Sequence, residues 1–539
     1  MRVITSRVGL FMRTLLRRCT GLALGTLFVV WVANAQTATV EPYESDTPFQ
    51  AQNQVDVLVK ARLEQRGIKP ANLCSDAVFV RRAYLDVIGT LPTLEDVRQF
   101  LADPSPGKRT ALIESLLQRD EFADYWSLKW SDVLRVKSEY PINLWPNAVQ
   151  AYHRWIRKAV RDNMRYDRFA RELLTSSGSN FRVPQANFYR AIQGREPAAL
   201  ASAVALTFMG TRFEKWPEAR RTGMQAFFSR VGYKTTAEWK EEIVAPDPAK
   251  TGAFTAIFPD GRSVRIADGE DPRRVFADWL IRPENPWFTR SIANRVWYWL
   301  MGRGIIHEPD DIRPDNAAAN PELLAYLEKE LVQSGYNLKY VFRLILNSRT
   351  YQQSSIPARS PSSSDSEAAL SAHYVVRRLE AEVLIDALSS IFGRGEEYSS
   401  AIPEPFAVMP QNQRTIGLAD GSITTPFLQM FGRPSRDTGL EAERNNQTTE
   451  EQRLHLLNST HIQQKIQRSP RLSLLIRTSR GDRGRLIGAL YLSILSRYPT
   501  EDERRVAQNY MESSGLTLRD AAGDLSWALI NTKEFLFRH

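Results

Sequence analysis

Sulfur is the scarcest chemistry in this 539-residue chain, which has two cysteines, Cys19 and Cys74. Cys19 lies in a segment expected to be removed, which leaves Cys74 alone. One thiol cannot form an internal disulfide, a thiolate zinc site or a c-type haem attachment. Cys74 is therefore expected to be a buried, inert thiol, and no cofactor is expected. Histidine is sparse too, with six residues at positions 153, 307, 373, 455, 461 and 539. His455 and His461 are six apart, which is not the i, i+4 spacing that puts two ligands on one helical face. Long apolar runs are missing. Residues 21–33 are thirteen in number, too few to span a bilayer comfortably, so no stable membrane span is expected once the leader is cleaved. The chain also lacks a Gly-x-Ser-x-Gly elbow, a phosphate loop and a dinucleotide fingerprint, which removes the usual signs of those enzyme classes.

Residues 1–35 lack Asp, Glu and Lys but carry Arg2, Arg7, Arg13, Arg17 and Arg18. The apolar run follows, and Ala33-Asn34-Ala35 before Gln36 has the small-x-small form of a signal peptidase site. The expectation is an exported protein, periplasmic or extracellular; an uncleaved anchor is the alternative. Cleavage removes five arginines, so the net charge falls from +10 to +5. That is mild for a chain of this length, and it argues against a nucleic-acid partner.

What is present describes a globular protein: 43% apolar residues, 24% charged and twelve tryptophans. Residues 36–52 are polar and aperiodic, a linker. Residues 53–180 read as an N-terminal helical domain. Its helices are expected at 55–66 and from Val80 to Val87, then after the cap Thr93, and at 122–136 with Tyr125, Trp126 and Trp130 inward. Residues 181–280 form a middle segment. Ala198–Met209 reads there as a small-residue helix, and TAIFPDGRSVRI alternates around a Pro-Asp-Gly turn as the one clear strand pair. Residues 281–539 read as a C-terminal helical domain. In its first part Ile292, Val296 and Trp299 share a helical face. Asn320-Pro321 and Asn337 start the next two helices. Residues 357–367 are Ser/Pro-rich, 395–436 form an irregular covering loop, and helices are expected at 373–388, 450–466, 485–495, 501–511 and 518–535. The fold class is mainly α: two helical domains with a small hairpin-containing middle.

Each candidate for chemistry has a structural alternative. Asp310 and Asp311, beside His307 and Glu308, form the densest acidic cluster, a candidate metal or general-base site; capping of a turn is the alternative. Asn294, Arg295 and Trp297 are a candidate cation-and-aromatic binding platform; core packing around one buried Arg is the alternative. Arg433 and Arg444 are candidate anion binders, or pins holding the covering loop to acidic helix ends. Arg82 and Asp86, four apart, are expected to pair within their helix.

Residues 79–136, FVRRAYLDVIGTLPTLEDVRQFLADPSPGKRTALIESLLQRDEFADYWSLKWSDVLRV, resemble the first of a pair of planctomycete cytochrome-associated domains, the domain of unknown function numbered fifteen-forty-nine. The stretches ENPWFTRSIANRVWYWLMGRGII, PDDIRPDNAAANPELLAYLEKELVQSGYNLKYVFRLILNSRTYQQS and LINTKEFLFRH resemble its partner, numbered fifteen-fifty-three. The resemblance implies a secreted, mainly helical protein. It also implies that many relatives carry Cys-x-x-Cys-His in the segment matching Phe208–Trp216 and Cys-x-Cys in the segment matching Gly439–Arg444. Here the first reads FMGTRFEKW, and the second has Leu440 and Ala442 in place of cysteines. Loss of both pairs together is explained if in relatives they serve one metal or haem site, since thiolates without a metal are oxidation liabilities.

The expected function is binding of an extracytoplasmic partner, a protein or polysaccharide, through the loop-rich face between the helical halves. The alternatives are an electron-transfer or oxidoreductase-associated protein, as haem-bearing relatives imply, and a metal-dependent hydrolase using the loop carboxylates.

Overall fold

The computed structural model describes residues 42–358, 364–407 and 409–539. The expected leader, residues 36–41 of the linker and part of the Ser/Pro-rich stretch lie outside the described residues. Helices of eight residues or more are numbered in chain order.

Helix α1 (Gln54–Gln65) begins at a reciprocal capping box, in which Asn53 and Asp56 bond each other's backbone N–H. Helix α2 (Asp76–Val87) is buried almost all round. It stops before Gly89, which has φ +63°; a Cβ there would meet the Tyr125 ring at 2.5 Å, so glycine is needed for both turn and space. Helix α3 (Leu94–Ala102) follows the Thr93–Asp96 capping box. Then come α4 (Lys108–Gln118), the aromatic α5 (Asp120–Val133), α6 (Pro146–Arg161) and α7 (Tyr166–Leu174), with α5 packed along α6. The Arg82–Asp86 pair expected within α2 does not form. Arg82 donates instead to the carbonyls of Tyr351, Gln353 and His539. Asp86 accepts from Tyr351, Tyr374 and Arg377. A helix buried on all sides offers each charge better-placed tertiary partners than its own neighbour, and a buried charge needs several. Cys74 is buried with a free thiol.

The middle segment is richer in strand than expected. Helix α8 (Pro197–Val204) passes into a π turn, Ala205–Met209, that ends at left-handed Gly210; α9 (Glu218–Gln225) follows. The expected hairpin is present as β4 (Phe254–Ile257) and β5 (Ser263–Ile266), with Phe254 opposite Ile266. A second, antiparallel sheet in the order β1-β3-β2 joins β1 (Gly178–Ser179), β2 (Val231–Thr235) and β3 (Glu242–Pro246). The single strand pair of the sequence reading is therefore corrected. β2 runs from buried Val231 to exposed Thr235 without alternation, and Gly232 and Pro246 weaken the strand signal further.

Helices α10 (Pro272–Leu280), α11 (Phe288–Met301), α12 (Pro321–Gln333) and α13 (Leu338–Leu346) come next, and α11 packs on both α12 and α13. Gly302 at φ +80° ends α11, while Asn320 and Asn337 cap α12 and α13. The helix expected over 373–388 begins only at α14 (Ala381–Phe392). The preceding β6 (Arg377–Arg378) pairs antiparallel with β7 (Phe537–Arg538). The helix expected over 450–466 is two, α15 (Glu450–Asn458) and α16 (Thr460–Gln467), because Ser459 leaves helical geometry and caps the second. Helices α17 (Pro470–Thr478), α18 (Arg483–Leu495), α19 (Glu501–Ser513) and α20 (Leu518–Ile530) complete a mainly α chain.

The described residues form one compact unit, and a single apolar core runs from Val55 to Phe535. Its aromatic centre, Trp126, Trp130, Trp299 and Phe342, joins the two helical halves and leaves a cavity of about 40 Å³. Among the described residues no helix is long and apolar enough to cross a membrane.

Candidate functional site

The sequence candidates converge on a buried charge network below the covering loop. Arg295, on α11, donates to Asp310 at 2.6 Å and to the Thr207 carbonyl at 3.0 Å. Its Nε faces Glu441 at 3.5 Å. Asp310 accepts from the Glu441 backbone N–H at 2.7 Å, and Glu441 accepts from the Trp299 indole at 2.9 Å. Burial pushes the Glu441 carboxyl up to about 7, opposed by Arg295 and assisted by Asp310. Asp311 points elsewhere, to Lys215 at 3.1 Å and Arg313 at 3.2 Å. The adjacent carboxylates thus serve different cations. Asn294 bonds the N–H and carbonyl of Ile306 and so pins the turn after α11. Trp297 is buried in the core. Among the described residues no three His, Cys, Asp or Glu side chains are grouped to hold a metal ion.

Arg433 and Arg444 meet in an adjoining cluster. Arg444 bonds Glu382 at 2.7 Å and Asp132 at 2.6 Å. Arg433 lies 3.5 Å from Glu382, and Arg436 bonds Asp132 at 2.9 Å. Glu382 sits in the first turn of α14, and Asp132 is near the end of α5. Burial lowers the Arg433 guanidinium to about 10. Burial works against ionised Glu382, yet Arg444 keeps its carboxyl below the usual range. The arrangement clamps residues 433–444 across both helical halves, with every charge answered by a neighbour.

The open surface lies elsewhere, where three loops meet. Trp145 holds φ +71° and ψ 147° before Pro146, a strained region for a bulky residue. Its N–H bonds the Ser138 carbonyl, and its carbonyl accepts from Val149 at the start of α6. Trp239, at the β2–β3 tip, is 69% exposed, and Phe406, in the covering loop, is 58% exposed. Ring centroids lie 6.4 Å apart for Trp145–Trp239 and 5.8 Å for Trp145–Phe406. Lys240 Nζ stands 5.9 Å from the Trp145 ring and 5.3 Å from that of Trp239. Glu139 ties the loop before Trp145 to Ser400 and Ala401. Sequence reasoning missed this face. The available signal was Trp239 itself, set in the charged run Ala-Glu-Trp-Lys-Glu-Glu with no apolar period to bury it.

Two family models match, both described as proteins of unknown function: PSCyt2 (DUF1549) over residues 54–229 and PSD1 (DUF1553) over residues 272–511. The chain belongs to the family that pairs these two domains. No curated protein and no solved structure matches it. The clamp spans the pair: Asp132 belongs to the PSCyt2 domain, whereas Arg295, Asp310, Glu382, Arg433, Glu441 and Arg444 belong to PSD1. The aromatic face draws Trp145 from PSCyt2, Phe406 from PSD1 and Trp239 from the segment between them.

Proposed function

We propose that this protein is exported and binds a polysaccharide on the face formed by Trp145, Trp239 and Phe406. The observation that carries the reading is the exposed ring cluster held by three separate loops. Two large aromatic rings left in water, Trp239 and Phe406, against a half-buried Trp145 on a strained backbone, point to a binding role. The position of Lys240 favours a polyhydroxylated polymer over a protein surface, because the centres of protein interfaces are depleted in charge and here an ammonium sits among the rings. Sugar rings offer C–H groups to the negative faces of aromatic rings and hydroxyls to Lys240.

The test is affinity electrophoresis of the mature chain in gels containing neutral and acidic polysaccharides. Retardation by at least one polymer is expected, and Trp239→Ala and Phe406→Ala should each weaken it about tenfold, equivalent to about 1.4 kcal/mol. Unretarded migration in every gel, or full retardation of both variants, overturns the reading. Export is tested separately, by fractionation of cells and mass spectrometry of the N-terminus.

A further inference from the structure

The surplus positive charge of the chain is concentrated on one corner of the C-terminal helices. Residues 468–485 carry Arg468, Arg471, Arg477, Arg480, Arg483 and Arg485 against a single acid, Asp482. That surplus of five equals the net charge of the whole chain behind residue 35, so the remainder is balanced. All six arginines are exposed. Asp482 answers Arg485, at 3.2 Å. Among the described residues no carboxylate pairs with Arg468, Arg471, Arg477, Arg480 or Arg483, in contrast to the answered arginines of the clamp. Arg483 and Arg485 stand in the first turn of α18, which holds no acidic residue. A helix N-terminus carries positive partial charge and disfavours cations, so helix stability does not account for their position.

On α17 the exposed arc is Arg471, Leu474, Arg477 and Thr478, opposite buried Leu472. Leu474 is 50% exposed and stands between Arg471 and Arg477 on that arc. The helix is held from behind by α14, α18 and α20: Arg471 donates to the Ser390 carbonyl, and Arg519 of α20 bonds Ser473 at 2.7 Å. An apolar tip between long cationic side chains suits the boundary of an anionic bilayer. The leucine enters the acyl region, the arginine stems lie along it, and their guanidinium groups reach lipid phosphates. A protein partner favours a charge-depleted centre, and residues 468–485 contain no aromatic ring to stack a sugar. We propose that the α17–α18 corner docks this protein on the surface of a membrane rich in anionic phospholipid, with Leu474 inserted and the surrounding arginines paired to headgroups. Docking of this kind needs no helix that crosses the bilayer, and the aromatic face takes no part in it.

The mature chain is sedimented with vesicles of phosphatidylcholine alone and of phosphatidylcholine mixed with phosphatidylglycerol. Binding to the mixed vesicles only is expected, falling steeply with added salt. Arg477→Gln, Arg480→Gln and Arg483→Gln combined should weaken it about 100-fold, from roughly fivefold per arginine. Leu474→Ser should weaken it about tenfold. Arg265→Gln, at an exposed position of the β4–β5 hairpin, is the control and should bind as the natural chain does. No binding to mixed vesicles, equal binding to both kinds, or full binding by the triple variant overturns the proposal. Loss in the triple variant with none in Leu474→Ser also overturns it, since the corner then holds soluble anions by charge alone. The comparison of the two vesicle types uses unsubstituted protein, so a variant that fails to fold does not blunt the test.

Discussion

Glu441 shows how one buried carboxyl ties stability to pH. Its folded value of about 7 lies above the ordinary value near 4.3. Between the two, the folded state holds more protons than the unfolded chain, so stability falls as pH rises through this window and the penalty is complete above pH 7. The size is on the order of 3 kcal/mol. Asp386, raised to about 6 by burial, acts in the same direction. Urea unfolding at pH 5 and pH 8 should therefore give a smaller pH difference for Glu441→Gln than for the natural chain; an equal difference counts against the assignment. Gly89 tests a steric constraint. Gly89→Ala faces both φ +63° and the Tyr125 ring and should lose about 2–4 kcal/mol in thermal unfolding. The stop at Gly89 was legible in the sequence because glycine marks left-handed turns. The raised Glu441 carboxyl was not, because it arises from burial and from Asp310 nearby, against the pull of Arg295, and only the fold creates those surroundings.

Elements differ in how openly they declare themselves. Capped helices such as α3, α12 and α13 were readable, since Thr93, Asn320 and Asn337 are local signals. The α15–α16 break was not, because apolar periodicity runs on through Ser459. The expectation that six residues put His455 and His461 off a shared i, i+4 face holds for one helix; across the break their ring nitrogens come to 3.4 Å. Arg295 and the covering loop show a related limit. Thr207 precedes Phe208–Trp216 and Glu441 lies within Gly439–Arg444, segments more than 200 residues apart, yet both reach the same guanidinium. The clamp has its own test. Arg444→Met removes the partner shared by Glu382 and Asp132, leaving them Arg433 and Arg436, and loss of one member of a buried ion cluster should cost up to about 3–5 kcal/mol. Limited proteolysis should then cut residues 395–447 far faster than in the natural chain; equal rates would show that the clamp does not hold the loop.

At the scale of the whole molecule, the two family domains share one interior. Tyr125 of PSCyt2 bonds Glu380 of PSD1 at 2.9 Å, and Trp126 packs on Trp299 and Phe342. Calorimetry should record a single cooperative transition for the full chain, and residues 42–229 expressed alone should fail to melt cooperatively. Two separable peaks would contradict this. The mainly helical character was visible in sequence, but the shared interior was not, because nothing local reports that an aromatic on α5 meets one on α11.

Arg82 draws three carbonyls to one guanidinium, and the farthest belongs to His539, 457 positions away along the chain. During synthesis α2 must wait, its buried arginine without its full set of acceptors, until residues 537–539 have emerged. A contact of that sequence separation is expected to be among the last to close, since chain-closure entropy must be met before it forms.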